Sequence, residues 1–310
     1  MWPLDVDVFR DAAFEPEAPL VMKAAKNSDL AISKYYPGRN LRKWLRTPRE
    51  AAEFTPYIKR FTNSLPLHYE LLLPSTKEPL LGPVYDFVKH LSASEDPSLQ
   101  FLGDLVRTQI SDYAEQTGER FIPFDAPLSL MLAAMQFNEG RAPVSRLKQL
   151  YIAQASLNTL PEVLKRDFPT PEIVKTAGKG DIYSSSLWLG LQPTYTPWHR
   201  DPNPNLFHQV WGTKEVRILP PRGGITLLLQ TRAKFGINAS NTRIRGPEMM
   251  EGLERKAMHD AVWGPGAHEN LYKASLEPGD MLFIPKGWWH SLRSTGAFGS
   301  VNASVNWWFR

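Results

Sequence analysis

The sequence of 310 residues predicts a mainly β fold mixed with α: a double-stranded β-helix of the jelly-roll kind, preceded by a mainly helical N-terminal subdomain. Two observations carry this. From Ile182 onward, short apolar runs recur between glycines and prolines, at Leu187–Leu191, Phe207–Trp211, Val216–Leu219, Met281–Ile284 and Val301–Phe309. That rhythm belongs to a jelly-roll barrel. Ahead of it, apolar residues recur at helical spacing, so the division falls between residues 1–145 and 146–310.

Each element has its own signal. Thr47-Pro48-Arg49-Glu50 is a capping box with proline at the first helical position, and Ala51, Ala52 and Phe54 continue the helix it predicts. Leu99, Leu102, Val106, Ile110 and Tyr113 form a second helical stripe, and Leu128, Leu130, Met131 and Met135 a third. Val144, Leu147, Leu150 and Tyr151 form a fourth. Stripes of this kind are core faces rather than cofactor boxes. Among the strands, an insert over residues 231–275 carries a predicted helix from Pro247 to Ala261, with Met250, Leu253 and Met258 on one face. It lies near the barrel mouth, where substrate selection would reside.

Composition excludes several classes. No cysteine is present, which removes disulfides, thiolate catalysis and cysteine-ligated zinc modules. At 42% hydrophobic the chain can bury a full core. The N-terminus, Met1 to Asp7, places acids where a secretory signal needs bases, and no apolar run approaches membrane-spanning length. The expectation is therefore an intracellular protein, of cytoplasm or nucleus, with no membrane partner. Net charge is only +4, yet Lys34 to Arg60 holds eight Lys/Arg interleaved with Tyr35, Tyr36 and Trp44. A solvated surface is the commoner explanation, with single-stranded nucleic acid or an acidic peptide as the functional ones.

The chemistry concentrates in Trp198-His199-Arg200-Asp201. On a strand, residues i and i+2 point the same way, so His199 and Asp201 would present an imidazole and a carboxylate to one spot. His290 can supply a third ligand: Pro278-Gly279-Asp280 reads as a turn, Met281–Ile284 as a buried strand, and the histidine follows one short bend later. Two histidines and a carboxylate that leave positions open are the facial triad of non-heme Fe(II) oxygenases, although a lone His-x-Asp is as often a hydrogen-bonded strand end. Lys214 opens the alternating run Lys214–Leu219, and a hairpin there would fold it back beside the His199 strand. A lysine buried in a barrel mouth needs an anion, whereas one exposed at a turn needs nothing.

From Tyr151 to Trp308 the sequence resembles the Jumonji C (JmjC) family of 2-oxoglutarate oxygenases, in its small cupin-like branch. That branch holds the asparaginyl hydroxylase that inhibits hypoxia-inducible factor, a related arginyl hydroxylase and a tRNA wybutosine hydroxylase. Thr196-Pro197-Trp198-His199-Arg200-Asp201 fits the family's metal strand, and Asn205 stands four past the aspartate. Gln209-Val210-Trp211-Gly212-Thr213-Lys214 fits its lysine segment, and Pro278-Gly279-Asp280 through Trp288-Trp289-His290 its second metal strand. Ser304-Val305-Asn306-Trp307-Trp308 fits the last barrel strand, and Leu150-Tyr151-Ile152-Ala153-Gln154 the segment whose tyrosine reaches the co-substrate.

The resemblance implies iron on His199, Asp201 and His290. It implies Lys214, Tyr151 and Thr196 at the distal carboxylate of 2-oxoglutarate, Asn205 and Asn306 near its metal-bound end, and Trp308 as a wall of that pocket. A charge and two hydroxyls are what a dicarboxylate held by metal at one end needs at the other. The implied activity is an Fe(II)- and 2-oxoglutarate-dependent dioxygenase that hydroxylates a C–H position and releases succinate and CO2. A protein or peptide side chain is the preferred substrate. A tRNA base and an N-methyl-lysine to be demethylated are the alternatives. Non-catalytic and zinc-binding cupins form a further class, which would keep the ligands but not need Lys214, Tyr151 and Thr196 together. The sequence given stops at Arg310, just past Phe309, whereas the asparaginyl hydroxylase continues into helices that build its dimer. The expectation is a monomer, or a dimer built from another surface.

Overall fold

A computed structural model of the chain describes residues 5–24, 43–47, 51–73, 82–111, 120–237, 244 and 247–310. Its strands are β1 (Leu20–Met22), β2 (Leu45–Arg46), β3 (Glu53–Phe54), β4 (Pro66–Leu73), β5 (Arg120–Pro127), β6 (Leu150–Ser156) and β7 (Ile182–Leu191). There follow β8 (Tyr195–Arg200), β9 (Asn205–Trp211), β10 (Lys214–Leu219), β11 (Tyr272–Leu276), β12 (Met281–Ile284), β13 (Trp289–Ser294) and β14 (Val301–Phe309). An eight-stranded sheet runs β1-β12-β9-β14-β7-β6-β4-β5, and a four-stranded sheet runs β11-β10-β13-β8. From β7 to β10 the chain alternates between the two sheets, and it does so again from β11 to β14. This is the double winding of a jelly roll.

The alternation along β14 shows why the barrel closes around a polar interior. Val301, Ala303, Val305, Trp307 and Phe309 point outward into the main apolar core, which also holds Phe9, Leu130 and Phe283. Between them, Asn306 and Trp308 face the barrel cavity, and the Ser304 hydroxyl meets Lys214 in the interior. A smaller core, with Phe207, Val216, Leu282 and Leu292, fills the barrel between the sheets. A third cluster joins Trp198 and Trp289 to Leu228, Met258 and Val262 of the flanking helices.

Several local expectations change. Residues 1–145 supply helices Gly82–Ser92, Pro97–Ser111 and Ser129–Asn138, but also β1, β4 and β5, which are strands of the large sheet. The capping box at Thr47 is followed by no helix over Ala51–Phe54: Phe54 pairs with Leu45 across β2 and β3, while Pro48–Glu50 lie outside the described residues. The stripe Val144–Tyr151 is a 3-10 turn, Pro143–Ser145, leading into β6, because the ladder between β6 and β4 outweighs a coincidence of spacing. Pro247–Ala261 splits into Pro247–Met250 and Gly252–Trp263, broken at Gly252 with φ +88°. Helix Pro221–Lys234 had no distinct signal in the sequence.

Of the basic stretch, Lys34, Tyr35, Tyr36, Arg39, Arg42 and Arg49 lie outside the described residues. In the described part, Lys43 pairs with Asp167 at 2.7 Å and Arg46 with Glu53 at 2.7 Å. Trp44 is buried and donates to the same Asp167. No described helix is long and apolar enough to cross a membrane.

Candidate metal centre and its cavity

β8 and β13 pair antiparallel with His199 directly opposite His290, which sets the two imidazoles side by side with ring centroids 4.2 Å apart. Their neighbours fix which way they face. Trp198 and Trp289 stack on the outer side of the small sheet, 6.0 Å apart, and strand alternation then turns His199 and His290 inward. Helix Pro221–Lys234 packs against Trp289 through Gly224, where a Cβ would come within 2.1 Å of the indole Cγ. Only glycine allows that approach. Asp201 follows the end of β8, its carbonyl accepting from the Gly287 amide at 2.9 Å.

Nε2 of His199 lies 3.6 Å from Asp201 Oδ1, and Nε2 of His290 lies 3.7 Å from Oδ2. These gaps exceed hydrogen bonds, and an ion bonded at about 2.0–2.2 Å to each group can bridge them. The tautomers agree with that use. Nδ1 of His199 lies 2.9 Å from the Pro197 carbonyl, and Nδ1 of His290 lies 3.0 Å from that of Trp288. A carbonyl can only accept, so each Nδ1 carries the proton and each Nε2 keeps its lone pair. Burial lowers His290 to about 4, which keeps it neutral and able to ligate.

Asp201 is held from behind. Its Oδ2 accepts from Trp308 Nε1 at 2.8 Å and from Asn205 Nδ2 at 3.0 Å. Asn306 donates in turn to Asn205, and Trp188 to Asn306. Burial alone would raise the Asp201 carboxyl, but His290, His199 and the two donors hold it below the usual carboxylate range. His199, Asp201 and His290 form the one group of three potential metal-ligating side chains found among the described residues. Two imidazoles and a carboxylate fit Fe(II), and they fit zinc as well.

The triad opens into a cavity of about 240 Å³. Tyr151, Thr196, Asn205, Lys214, Asn306 and Trp308 all line it. Within it, Asn205 and Trp308 bond directly to the Asp201 carboxylate and Asn306 bonds to Asn205. Lys214 does not sit in a hairpin beside β8. Its strand pairs with β13, the strand of His290, and with β11. Its side chain is fully buried and donates to Ser304 Oγ at 3.1 Å and Tyr151 Oη at 3.3 Å. No ion pair reaches it from any described residue, and burial lowers its pKa to about 7. Room for the Tyr151 ring comes from Gly190 across the ladder, where a Cβ would stand 2.3 Å from Tyr151 Cδ2.

The sequence reading missed Glu70, Ser304 and Trp188. Glu70 lines the cavity from β4, where it pairs with Tyr151, and desolvation raises its pKa to about 7. Its signal was the alternation Leu67, Tyr69, Leu71, Leu73, which places Glu70 on the opposite face. Ser304 could have been found from its phase with Asn306 and Trp308.

The profile of the cupin-like domain matches residues 103–310. Jumonji C domain-containing protein 5 of Drosophila melanogaster is 30% identical over 163 residues, 51% of this chain and 36% of that protein. Lysine-specific demethylase JMJ30 of Arabidopsis thaliana is 28% identical over 183 residues, 58% of this chain and 37% of its own length. Lysine-specific demethylase 8 of Danio rerio is 28% identical over 163 residues, again 51% of this chain and 36% of that protein. The chain thus spans little more than a third of these curated relatives.

Proposed function

The chain belongs to the cupin-like domain family, and from that premise and its cavity we propose that it is an Fe(II)- and 2-oxoglutarate-dependent oxygenase that hydroxylates a C–H position of a protein side chain. The observation that carries the proposal is Lys214: a buried lysine with no acid partner among the described residues, in the same cavity as a His-Asp-His triad. Such a charge is costly unless an anion meets it. A zinc-binding cupin would have no use for it.

Iron with 2-oxoglutarate would activate dioxygen, one oxygen atom passing to the substrate C–H bond and the other to succinate as CO2 leaves. The protein's own groups do the rest. His199, Asp201 and His290 would hold the ion, with both histidine tautomers fixed in advance by main-chain carbonyls. Trp308 and Asn205 keep the Asp201 carboxylate oriented and ionised. Lys214, Tyr151 and Thr196 would bind the far carboxylate of the co-substrate, by a charge-assisted contact that also supplies the anion Lys214 lacks. A cavity of about 240 Å³ suits a metabolite-sized co-substrate, since drug-sized ligands occupy about 300–1,000 Å³.

A protein substrate is favoured over tRNA because, in the described part of the basic stretch, Lys43 and Arg46 are engaged in ion pairs, Trp44 is buried and Arg60 stands over the Tyr57 and Phe61 rings, which leaves Lys59 as the one basic side chain there without such a contact. Two of the three relatives described above carry demethylase names. The same oxidation of an N-methyl group ends in loss of formaldehyde, so that outcome is a variant of one chemistry.

The test is succinate release by the full chain with Fe(II), 2-oxoglutarate and oxygen. His199→Ala, Asp201→Ala and His290→Ala are each expected to fall to background with the fold intact by circular dichroism. Lys214→Ala is expected to weaken 2-oxoglutarate binding by about 2–5 kcal/mol, with Tyr151→Phe and Thr196→Val losing less. Substantial turnover by Asp201→Ala, or equal 2-oxoglutarate binding by wild type and Lys214→Ala, overturns the proposal. Activity that needs neither oxygen nor 2-oxoglutarate would indicate a zinc hydrolase. Mass spectrometry of peptides and tRNA from cells with and without the active protein identifies the substrate by the gain of one oxygen, or by loss of a methyl group.

A further inference from the structure

At the end of the barrel away from the triad, three cations stand together without a carboxylate. Arg141, Arg146 and Lys148 lie between helix Ser129–Asn138 and β6, and none of them forms an ion pair with a described residue. Each is nevertheless held in place. The Arg141 guanidinium lies over the Phe137 ring, 3.9 Å from its centroid, and the Lys148 amine lies over the Phe298 ring at 4.7 Å. Arg146 donates through Nε to the Arg141 carbonyl at 2.8 Å and through Nη1 to that of Phe298 at 3.4 Å. Rings and main-chain carbonyls thus order three side chains, and neither kind of partner removes their charge.

Arg141 and Arg146 line a cleft of about 920 Å³. Trp211 at the end of β9 and Val301 at the start of β14 form part of its wall, whereas Asn205 and Trp308, towards the other ends of these strands, belong to the metal cavity. At about 3.3 Å per residue the two sites are roughly 20 Å apart. Glu139, the one acid in the cleft wall, pairs with none of the three cations, and Val144 and Phe298 stand 71% and 51% exposed beside them. Charge and surface together say what fits. Single-stranded nucleic acid needs a run of open aromatic faces on which bases stack, but Phe137 is buried, Lys148 covers Phe298, and Trp211 is the one ring in the cleft wall. A carboxylate needs only the amine and the guanidinium donors, whose planar fork matches it. Beside the charges, the exposed Phe298 and Val144 offer an apolar surface to a large apolar side chain.

We propose that this cleft is a docking site for an acidic segment of a partner protein, its carboxylates meeting Arg141, Arg146 and Lys148 and an apolar side chain seated against Phe298. Because the three cations are already ordered, little side-chain entropy is lost when the segment binds. Burial holds the Lys148 amine below its ordinary value, and a carboxylate beside it would act in the opposite direction. The inference stands apart from the oxygenase reading, since no residue of the cleft wall lines the metal cavity.

The probe is a fluorescein-labelled glycine-serine peptide that carries four glutamates around a central phenylalanine, and fluorescence anisotropy with the full chain reads its affinity. Wild type is expected to bind it at least tenfold more tightly than the same peptide with glutamines, and the affinity to fall as salt is raised. Alanine in place of the phenylalanine is expected to weaken binding, and an equal affinity overturns the seat on Phe298. Arg141→Gln and Lys148→Gln are each expected to lose about threefold, with the thermal transition of wild type, while Arg146 is left in place because its bonds tie the loop together. Should the double variant fail to fold, Lys148→Glu alone decides, since a like charge at the exposed rim is expected to abolish the preference for glutamate over glutamine. Equal affinity for the glutamate and glutamine peptides overturns the inference, as does a folded Arg141→Gln/Lys148→Gln protein that binds as wild type does. Oligouridine that displaces the probe at lower concentration than the unlabelled peptide would make this a nucleic-acid site and overturn the proposal. Displacement by inorganic phosphate as effective as that by the peptide would reduce it to a simple anion site, which overturns the docking role as well.

Discussion

Lys214 costs stability where it stands, and in the proposed reading it is also the residue that binds the co-substrate. Burial takes its pKa from the ordinary 10.5 to about 7. Unfolded, the amine holds its proton up to about 10.5, so between these values the unfolded state binds more protons than the folded one. Stability contributed at this position is therefore present above pH 10.5 and lost as pH falls towards 7, with no further change below. Denaturant titrations of the metal-free protein are expected to show this slope in wild type and not in Lys214→Met. That variant should be the more stable of the two at pH 7 by about 1–3 kcal/mol, having lost the desolvation cost of a buried amine with no ion-pair partner among the described residues. A less stable Lys214→Met would mean that Ser304 and Tyr151 compensate the charge more fully than their two hydrogen bonds suggest. If the proposed role of Lys214 holds, the same linkage governs the co-substrate. A dicarboxylate binds the charged amine, so 2-oxoglutarate affinity should be flat below pH 7 and fall by up to tenfold per pH unit above it. Calorimetry at pH 6.5, 7.5 and 8.5 reads this, and a flat profile would separate Lys214 from the ligand. His199 and Asp201 were legible as a pair because a strand repeats every two residues. Glu70 was not, because a single acid in an apolar strand has no motif, and only the neighbours brought by β5, β6 and β8 give it meaning.

Among the elements, β6 carries the lesson about spacing. Val144, Leu147, Leu150 and Tyr151 satisfy a helical template, yet Leu150 and Tyr151 belong to a strand that is hydrogen-bonded on both sides, to β4 and to β7. A short apolar run is ambiguous until its pairing partners are known, and those lie about 80 residues upstream and 40 downstream. Runs bounded by glycine and proline were read correctly: β9, β10, β12 and β14 all stand within a few residues of their expected limits. The pairing of β6 with β7 also makes a prediction. Gly190→Ala would put a methyl group 2.3 Å from the Tyr151 ring and 2.9 Å from the Leu150 carbonyl, so the ring whose hydroxyl meets Lys214 must shift. Overpacking of this kind costs about 1–3 kcal/mol. Affinity for 2-oxoglutarate should fall in Gly190→Ala while Mn(II) affinity stays near wild type, because no triad residue touches Gly190. Gly224→Ala should do the opposite: its Cβ would collide with Trp289, the outward neighbour of His290, and weaken metal binding first. If both variants lowered metal and co-substrate affinity in the same proportion, the two halves of the site would not be separately supported.

At the scale of the molecule, the expected division at residue 145 rests on a change of sequence pattern, and β4 and β5 before it lie in the same sheet as β6 and β7 after it. Residues 1–145 read as helical because Leu102, Val106 and Ile110 and the Leu130 to Met135 stripe are strong helical signals. The strands there are separated by those helices and by segments outside the described residues, so nothing local announces that β4 and β5 extend the same sheet as β6, β7 and β14. The consequence is physical. β4 satisfies the free edge of β6 through Tyr69–Ile152, Glu70–Tyr151 and Leu71–Leu150. Phe9 and Phe14 of the first residues pack on Phe283 and Phe309, covering the outer face of β12 and β14. A fragment of residues 146–310 would expose that face, including Val305, Trp307 and Phe309, at about 1.5–3 kcal/mol for each large side chain uncovered. Three or four such side chains equal the whole stability of an ordinary domain, about 5–15 kcal/mol. The fragment is therefore expected to lack a cooperative thermal transition and dispersed amide resonances, and to bind hydrophobic dyes, although it retains His199, Asp201 and His290. A fragment that unfolds cooperatively and binds Mn(II) as the full chain does would show instead that the barrel stands alone and that β4 and β5 are additions to it.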